Sequence, residues 1–379
     1  MTAVRSLALI GNYAHSLSNF RGQLIAALVA RGIRVWALAP DYDTITRARV
    51  RALGAEPIDY SLQRAGTGAV RDALDTVRLV QLLRRLKPDG VLGYTMKPVV
   101  YGMTAAWLAG VRHRYSLVPG MGYVFTAGDT REGAKRHLLR RFSTALYQQA
   151  FALSARVFFY NDDDRDYFVS RGLIAPTKVV MLAGTGIDLA RFSALSPPAA
   201  RPLRFLLVAR LLREKGVAEY VAAARAIRRD APEVVFDLVG GIDPNPGSFT
   251  EAQVRGWVAE GAVEWHGQVD DVRPYLARSS VYVLPSWREG KPRSTQEAMA
   301  AGRAVVTTDA PGCRDTVDEG VNGFKVPVVD SAALEAAMRR FVADPALVAR
   351  MGRESARLAT ERFDVERINA KILAHLDLI

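Results

Sequence analysis

Short runs of β-branched and aromatic residues alternate along the whole chain with longer segments whose apolar positions recur every three to four residues. In the first half, Ser6–Ile10, Val35–Leu38, Gly90–Gly93, Tyr115–Val118, Val157–Tyr160 and Val179–Met181 read as strands. Helices are predicted between them, notably Phe20–Ala30, Arg71–Leu86, Val99–Leu108 and Lys135–Leu153. The second half restarts the alternation with Arg204–Val208, Val234–Val239, Val263–Trp265, Val281–Leu284, Ala304–Thr307 and Lys325–Val326. Strand-helix alternation predicts parallel sheets flanked by helices, so the expected fold is α/β, with two doubly wound, Rossmann-like domains facing a cleft. The Pro-, Ala- and Ser-rich stretch Ser193-Ala194-Leu195-Ser196-Pro197-Pro198-Ala199-Ala200-Arg201-Pro202 reads as a connection. The predicted divisions are a domain over 1–185, a linker over 186–202, a domain over 203–355 and a C-terminal helix over 356–379. That helix carries Leu358, Phe363, Ile368, Ile372 and Leu376 as apolar points.

A chain of 379 residues exceeds one core, and 49% apolar with 24% charged residues is an ordinary globular mix. One cysteine, Cys313, excludes an internal disulfide framework and fits a reducing compartment. No apolar run reaches the roughly 18 residues of a membrane span. The first residues lack a signal-cleavage pattern and read as a strand, so a cytoplasmic protein is expected. Charge is unevenly placed. Residues 1–185 hold 25 of the 51 basic and 13 of the 39 acidic residues, and therefore the entire excess of +12; the rest is neutral, 26 against 26. The asymmetry suggests an anionic partner for the first half. At about 100° per residue, Leu138, Leu139, Phe142, Leu146 and Ala150 share one face of the 135–150 helix, with Arg136, Arg140 and Arg141 outside it. Such a helix either lies on an anionic membrane or packs on a core beneath ordinary surface arginines. The asymmetry favours a peripheral position on the inner face of the cell membrane. No recognised nucleic-acid module accompanies the basic half, so nucleic acid is not an expected partner.

Glu289 and Glu297 carry the chemistry. Glu289 falls in the turn after the strand Val281–Leu284, and Glu297 about a turn and a half into a helix with Pro292 near its start and Gly302 past its end. The carboxyl edge of a parallel sheet is where ligands bind. The first N–H groups of the helix, at Arg293, Ser294 and Thr295, suit a phosphate. A carboxylate one turn deeper suits a pair of ribose hydroxyls.

The stretch Arg288-Glu289-Gly290-Lys291-Pro292-Arg293-Ser294-Thr295-Gln296-Glu297-Ala298-Met299-Ala300-Ala301-Gly302 resembles the Glu-x7-Glu signature of retaining glycosyltransferases of family 4, which have the two-domain GT-B architecture. The resemblance implies a nucleoside diphosphate sugar, UDP-linked, as donor, and no bound metal or other cofactor. It also implies a C-terminal helix that returns to the first domain. Arg210 and Lys215 match the family's Arg-x4-Lys phosphate site, where cations neutralise a departing diphosphate; Arg213 between them reads as surface charge. Gly240 matches a strand-end glycine, and the main chain at His266 is placed by resemblance to read the base, while the His266 side chain reads as structural. The segment Gly184-Thr185-Gly186-Ile187-Asp188 through Phe192 resembles the family's interdomain turn.

In the first domain, Gly11, Asn19 and Arg21 flank the loop after the first strand, as candidates for donor phosphates or the acceptor. Lys97 follows the strand ending at Gly93 and is a candidate for an anionic group. Where many family members carry a histidine after the strand Tyr115–Val118, this chain has Pro119-Gly120-Met121-Gly122-Tyr123. A branch acting on lipid-linked sugars has a similar glycine-tyrosine loop, making Gly120 and Tyr123 acceptor candidates. The acids of Asn161-Asp162-Asp163-Asp164 open a helix, which explains them without a metal. The function implied is transfer of a hexosyl or N-acetylhexosaminyl group to a lipid-linked or polysaccharide acceptor. A nucleotide-sugar epimerase of the same fold and a non-enzymatic nucleic-acid-binding protein are the alternatives.

Overall fold

The structure, a computed structural model, describes residues 4–63, 68–122, 125, 134–193, 195, 201–245 and 247–378. The chain forms two compact units, Met1–Thr185 with Val365–Ile379, and Gly186–Asp364.

Unit 1 runs β1 Ser6–Ile10, α1 Ala14–Asn19, α2 Gly22–Val29, β2 Arg34–Ala39, α3 Thr44–Ala52, β3 Glu56–Asp59, α4 Ala69–Leu86, β4 Gly90–Tyr94, α5 Met96–Leu108, β5 His113–Val118, α6 Ala134–Leu153, β6 Arg156–Phe159, α7 Asp162–Val169 and β7 Val179–Met181. The strands pair in parallel in the order β3-β2-β1-β4-β5-β6-β7. Side chains alternate across the pleat, so each strand feeds two cores. Leu7, Leu9, Leu92, Leu117 and Phe158 meet Leu24, Ile25 and Leu28 of α2 on one face. Ala8, Ile10, Val91, Val118 and Phe159 meet Leu79 and Leu83 of α4, Val99 and Met103 of α5, and Tyr147 and Phe151 of α6 on the other. Each large side chain so buried contributes roughly 1.5–3 kcal/mol.

Unit 2 follows with α8 Leu189–Ser193, β8 Arg204–Val208, α9 Val217–Asp230, β9 Val235–Val239, α10 Glu251–Ala259, β10 Glu264–Trp265, α11 Arg273–Arg278, β11 Val281–Leu284, α12 Arg293–Ala300, β12 Ala304–Thr308, β13 Gly323–Val326, α13 Ser331–Ala343 and α14 Ala346–Arg362. Its sheet is also parallel, in the order β10-β9-β8-β11-β12-β13. Each sheet therefore reverses its winding once, at β1/β4 and at β8/β11, and the carboxyl ends of those strands are the ligand positions of such folds.

Several sequence expectations need correction. The strand β3 is additional to the expected strands; Pro57 lacks a ladder donor, and the segment forms as an edge strand on β2, where one side needs no donor. The single C-terminal helix expected over 356–379 is two helices. α14 ends at Arg362, whose guanidinium grips Asp318 of unit 2 at 3.0 and 2.7 Å. α15, Val365–Leu373, belongs to unit 1, where Ile368, Ile372 and Leu376 enter the core beside α2. The helical period continues through Phe363 and Asp364 and conceals the break. Residues 186–193, expected in the linker, belong to unit 2; Ile187 N–H donates to the Phe363 carbonyl at 2.7 Å.

The face expected on α6 is also displaced. Ser143, Tyr147, Ala150 and Phe151 are its buried positions, while Leu138 and Phe142 are 69% and 55% exposed. The rings of Tyr147 and Phe151 pack against Phe168 and Phe159, and the apolar pair beside Arg141 is left at the surface. No described helix is long and apolar enough to cross a membrane.

Candidate functional site

In unit 2 two loops meet at the β8/β11 switch. The β8 loop carries Arg210 and Lys215, and ends in Gly216 at φ 70°. A Cβ on Gly216 would overlap the Pro285 carbonyl of the β11 loop, so glycine is what lets the two backbones touch. Trp287 N–H donates to the Glu214 carbonyl at 2.9 Å, and the Ser286 hydroxyl to the same oxygen at 3.0 Å. Stitched together this way, the loops bring Lys215 Nζ to 2.5 Å from Glu289 Oε1, each side chain 17% exposed. From its other side the Glu289 loop rests on Gly312, at φ 75°, where any Cβ would overlap the carbonyls of Glu289 and Gly290. Lys291 pairs with Asp315 at 3.3 Å.

The helix α12 then begins at Arg293, directly after Pro292. The amides of Ser294 and Thr295 lie in its first turn, where no helical carbonyl can accept from them. Tyr282, at the heart of β11, donates its hydroxyl to Ser294 Oγ at 2.6 Å and holds that first turn against the sheet; burial pushes its phenol far up. Thr295 is fully buried. Glu297 accepts from Arg293 Nε at 2.9 Å. Burial raises the Glu297 carboxyl above its ordinary value, and Arg293 works against that rise. Arg210 is half exposed and pairs with Asp243 at 2.8 Å.

The neighbouring strand ends complete this edge. Gly240, at φ 152°, lies so close to the Ala209 carbonyl that no Cβ fits between them. It is required by that backbone contact between β8 and β9, a cause the sequence did not disclose. Its N–H donates to the Gly267 carbonyl at 2.8 Å. The His266 side chain turns away into the fold, Nε2 lying 2.6 Å from buried Asp237.

In unit 1, Gly11 directly follows β1 under the ring of Tyr94, which leaves no room for a Cβ. Its carbonyl accepts from Tyr60 at 2.7 Å. Arg21 is buried and donates to the Tyr160 hydroxyl at 2.5 Å. Asn19, exposed at the end of α1, has its Nδ2 3.4 Å from His15 Nε2. Gly120 lies two residues past β5, and Tyr123 lies outside the described residues. Lys97 departs from expectation. It is locked in a largely buried pair with Asp72 at 2.7 Å, and Tyr101 donates to the same carboxylate at 3.0 Å. An anion would have to displace Asp72 to use it.

Residues 18–185 match the family described as Glycosyl transferase 4-like domain, and residues 202–344 match Glycosyl transferases group 1. The chain belongs to these glycosyltransferases. It is 28% identical over 330 residues to N,N'-diacetylbacillosaminyl-diphospho-undecaprenol alpha-1,3-N-acetylgalactosaminyltransferase of Campylobacter jejuni, covering 83% of this chain and 84% of that protein. Among solved structures, Anabaena HepE in complex with UDP and glucose superposes with a TM-score of 0.76 at 18% identity, over 99% of this chain and 100% of that one. Sucrose-phosphate synthase from Thermosynechococcus elongatus gives 0.76 at 19% identity, over 98% of both chains. At those identities the superpositions establish the GT-B fold.

For this glycosyltransferase, the structure adds residues that the motif reading passed over. Gly216 and Gly312 were invisible because a positive φ leaves no mark in sequence beyond the glycine itself. Tyr282 read only as strand. Arg191 of α8 stands near enough to Glu297 to act on its carboxyl. Arg213, read as surface charge, lies over the Phe249 ring at 5.0 Å. Among the described residues, Asp237, Glu264 and His266 form the one grouping with metal-ligand geometry. Its buried carboxylate is already engaged by Arg204 at 3.1 Å, Arg278 at 2.6 Å and His266. Two arginines and a histidine around one acid make a structural cluster, with Glu289 and Glu297 elsewhere.

Proposed function

We propose that this glycosyltransferase transfers a hexosyl or N-acetylhexosaminyl group from a UDP-linked sugar to a lipid-linked or polysaccharide acceptor in cell-surface glycan assembly, with retention of anomeric configuration. The observation that carries the reading is the convergence of Lys215, Glu289 and the first turn of α12 at the β8/β11 switch, with Glu297 one turn deeper. Glu297 then accepts from the ribose hydroxyls, Arg293 holding it in place. Arg210, Lys215 and the amides of Ser294 and Thr295 receive the diphosphate, and Glu289 meets the donor sugar beside Gly290. The main chain at Gly240 and His266 lies along the edge where the base would rest.

In this reading the Lys215–Glu289 pair lies beside the bond that breaks. As the acceptor oxygen bonds to the anomeric carbon on the leaving-group face, the bond to the phosphate oxygen breaks and negative charge grows on that phosphate. Lys215, Arg210 and the helix end oppose the charge, and the departing phosphate takes the acceptor's proton. No bound metal is required for that role in this reading. The Campylobacter relative's diphospho-undecaprenol substrate and the UDP in Anabaena HepE support the choice of acceptor and donor. The exposed Leu138 and Phe142 beside Arg141 on α6 support a peripheral membrane position.

A panel of UDP- and GDP-sugars scored by thermal shift tests the reading. The true donor raises the melting temperature by mass action, and donor alone is hydrolysed slowly with its sugar unchanged. Stabilisation by no nucleotide sugar overturns the proposal, and isomerisation of the donor sugar assigns an epimerase.

A further inference from the structure

Two arginines among the described residues are buried, Arg303 and Arg21, and they are held in opposite ways. Arg303 is enclosed in unit 2, but its guanidinium donates to the carbonyls of Ala277, Ser279 and Ala301 around the ends of α11 and α12. Those carbonyls replace the water its donors lose, and burial lowers its pKa to about 10. Arg21, 3% exposed, has no such cage. Its Nη2 donates to the Tyr160 phenol, and its Nε is buried without an acceptor. Its guanidinium carbon lies 5.1 Å from the ring centre of Tyr94 and 5.8 Å from that of Tyr160. Among the described residues no carboxylate comes within ion-pair distance of it. Aromatic faces offset the desolvation of a buried cation only in part, so the arrangement is costly for the free protein.

The position gives the unused donors a purpose. Arg21 is the N-cap residue of α2, close behind β1, while Tyr94 ends β4 and Tyr160 follows β6. The guanidinium therefore lies at the carboxyl edge of the sheet, at the β1/β4 switch, where the dipole of α2 adds to its attraction for an anion. Thr95, next to Tyr94, is held at φ 71° and ψ 163°, a region closed to most L-residues, and its Oγ1 is likewise buried without a partner.

We propose that Arg21 is the anion receptor of unit 1, taking a phosphate or diphosphate of the second substrate on the donors its guanidinium leaves unpaired. A guanidinium fork fits the paired oxygens of phosphate, and the +12 of residues 1–185 favours a multiply charged group over a single carboxylate. The inference rests on the reading that unit 2 holds the nucleotide diphosphate, so that a phosphorylated acceptor needs a second site.

The test is calorimetry on protein first saturated with UDP, so that the nucleotide site is filled. Geranyl diphosphate, inorganic pyrophosphate and geraniol are titrated into wild type, Arg21→Gln and Arg21→Lys. Both diphosphates bind wild type and geraniol does not; Arg21→Gln weakens them by roughly tenfold to a hundredfold, with UDP affinity unchanged. Tighter binding of geranyl diphosphate than of pyrophosphate assigns a lipid-linked source, and equal binding assigns recognition of the phosphates alone. Undiminished binding to Arg21→Gln, or binding of neither diphosphate to UDP-saturated wild type, overturns the proposal. Should Arg21→Gln fail to fold, Arg21→Lys decides: it keeps the charge without the fork, and wild-type affinity in that variant rejects the receptor. Failure of UDP to bind wild type sinks the unit 2 reading, and is seen separately in the first titration.

Discussion

Lys215 Nζ lies 2.5 Å from Glu289 Oε1, joining the loops that follow β8 and β11. In the proposed reaction this contact pre-places the cation for a growing negative charge and the carboxylate for the donor sugar. Because the two act as one unit, their losses should not add. Lys215→Ala is expected to lower kcat by about a hundredfold or more, and Lys215→Ala/Glu289→Gln to be little worse than the more damaging single change. Full additivity of the two in kcat, with both variants folded, would separate their roles.

Glu297 is expected to weaken UDP binding by roughly tenfold to a hundredfold when changed to alanine, the range of one charge-assisted contact. Its raised carboxyl adds a pH signature. Protonation is favoured in the folded protein, so the group's contribution to stability is fully present below its unfolded pKa and is lost as pH rises through the raised folded value. Ribose recognition runs the other way, because it needs the carboxylate. UDP affinity should therefore fall on acidification, beginning above the ordinary glutamate range, and Glu297→Gln should flatten that dependence. Calorimetry across mildly acidic pH checks both.

Gly312→Ala should be damaging although Gly312 meets no substrate in this reading. Its new Cβ would press on the carbonyls of Glu289 and Gly290 at a φ of 75°. Destabilisation of about 1–3 kcal/mol is expected, together with a fall in kcat as Glu289 shifts. Normal activity and an unchanged denaturation midpoint would show that the loop is not held there.

Cys313 is fully buried against Ser286, and burial pushes its thiol up to about 12. Its neutral, enclosed thiol should react with an aromatic disulfide reagent only on unfolding. Rapid modification of the native enzyme at pH 8 would place the thiol at an open site, contrary to its packing beneath the β11 loop.

Membrane contact through α6 should be sensitive to charge and to apolar area. Arg136→Glu/Arg140→Glu/Arg141→Glu is expected to weaken sedimentation with anionic vesicles by roughly a hundredfold at low salt, at about 1 kcal/mol per cation. Leu138→Ser/Phe142→Ser should weaken it with charge unchanged, since both side chains stand in solvent. Equal pelleting of both variants and wild type rejects this helix as the contact.

The alternation of apolar runs and helical periods was enough to determine two parallel α/β units, because strand and helix periods are local properties of the chain. The motif from Arg288 to Gly302 was legible for the same reason: a strand end, a helix start and their spacing all lie within a short stretch. Arg210 and Lys215 were named from resemblance, and only the fold brings Lys215 to Glu289. The edge strand at Glu56–Asp59 was hidden because only its place beside β2 makes Pro57 harmless. The return of Val365–Leu373 to unit 1 could be named from resemblance, but the break between α14 and α15 shows only in the fold, where Arg362 pairs with Asp318. Which face of α6 is buried depended on the partners offered by Phe159 and Phe168, since the helix carries apolar residues on more than one side. Lys97 looked available to an anion until the fold supplied Asp72, distant in sequence, as its partner. Gly240 and Gly312 are glycines because another backbone occupies the space of their side chains. Contacts between segments far apart in the chain are decided by packing, and packing exists only once the chain has folded.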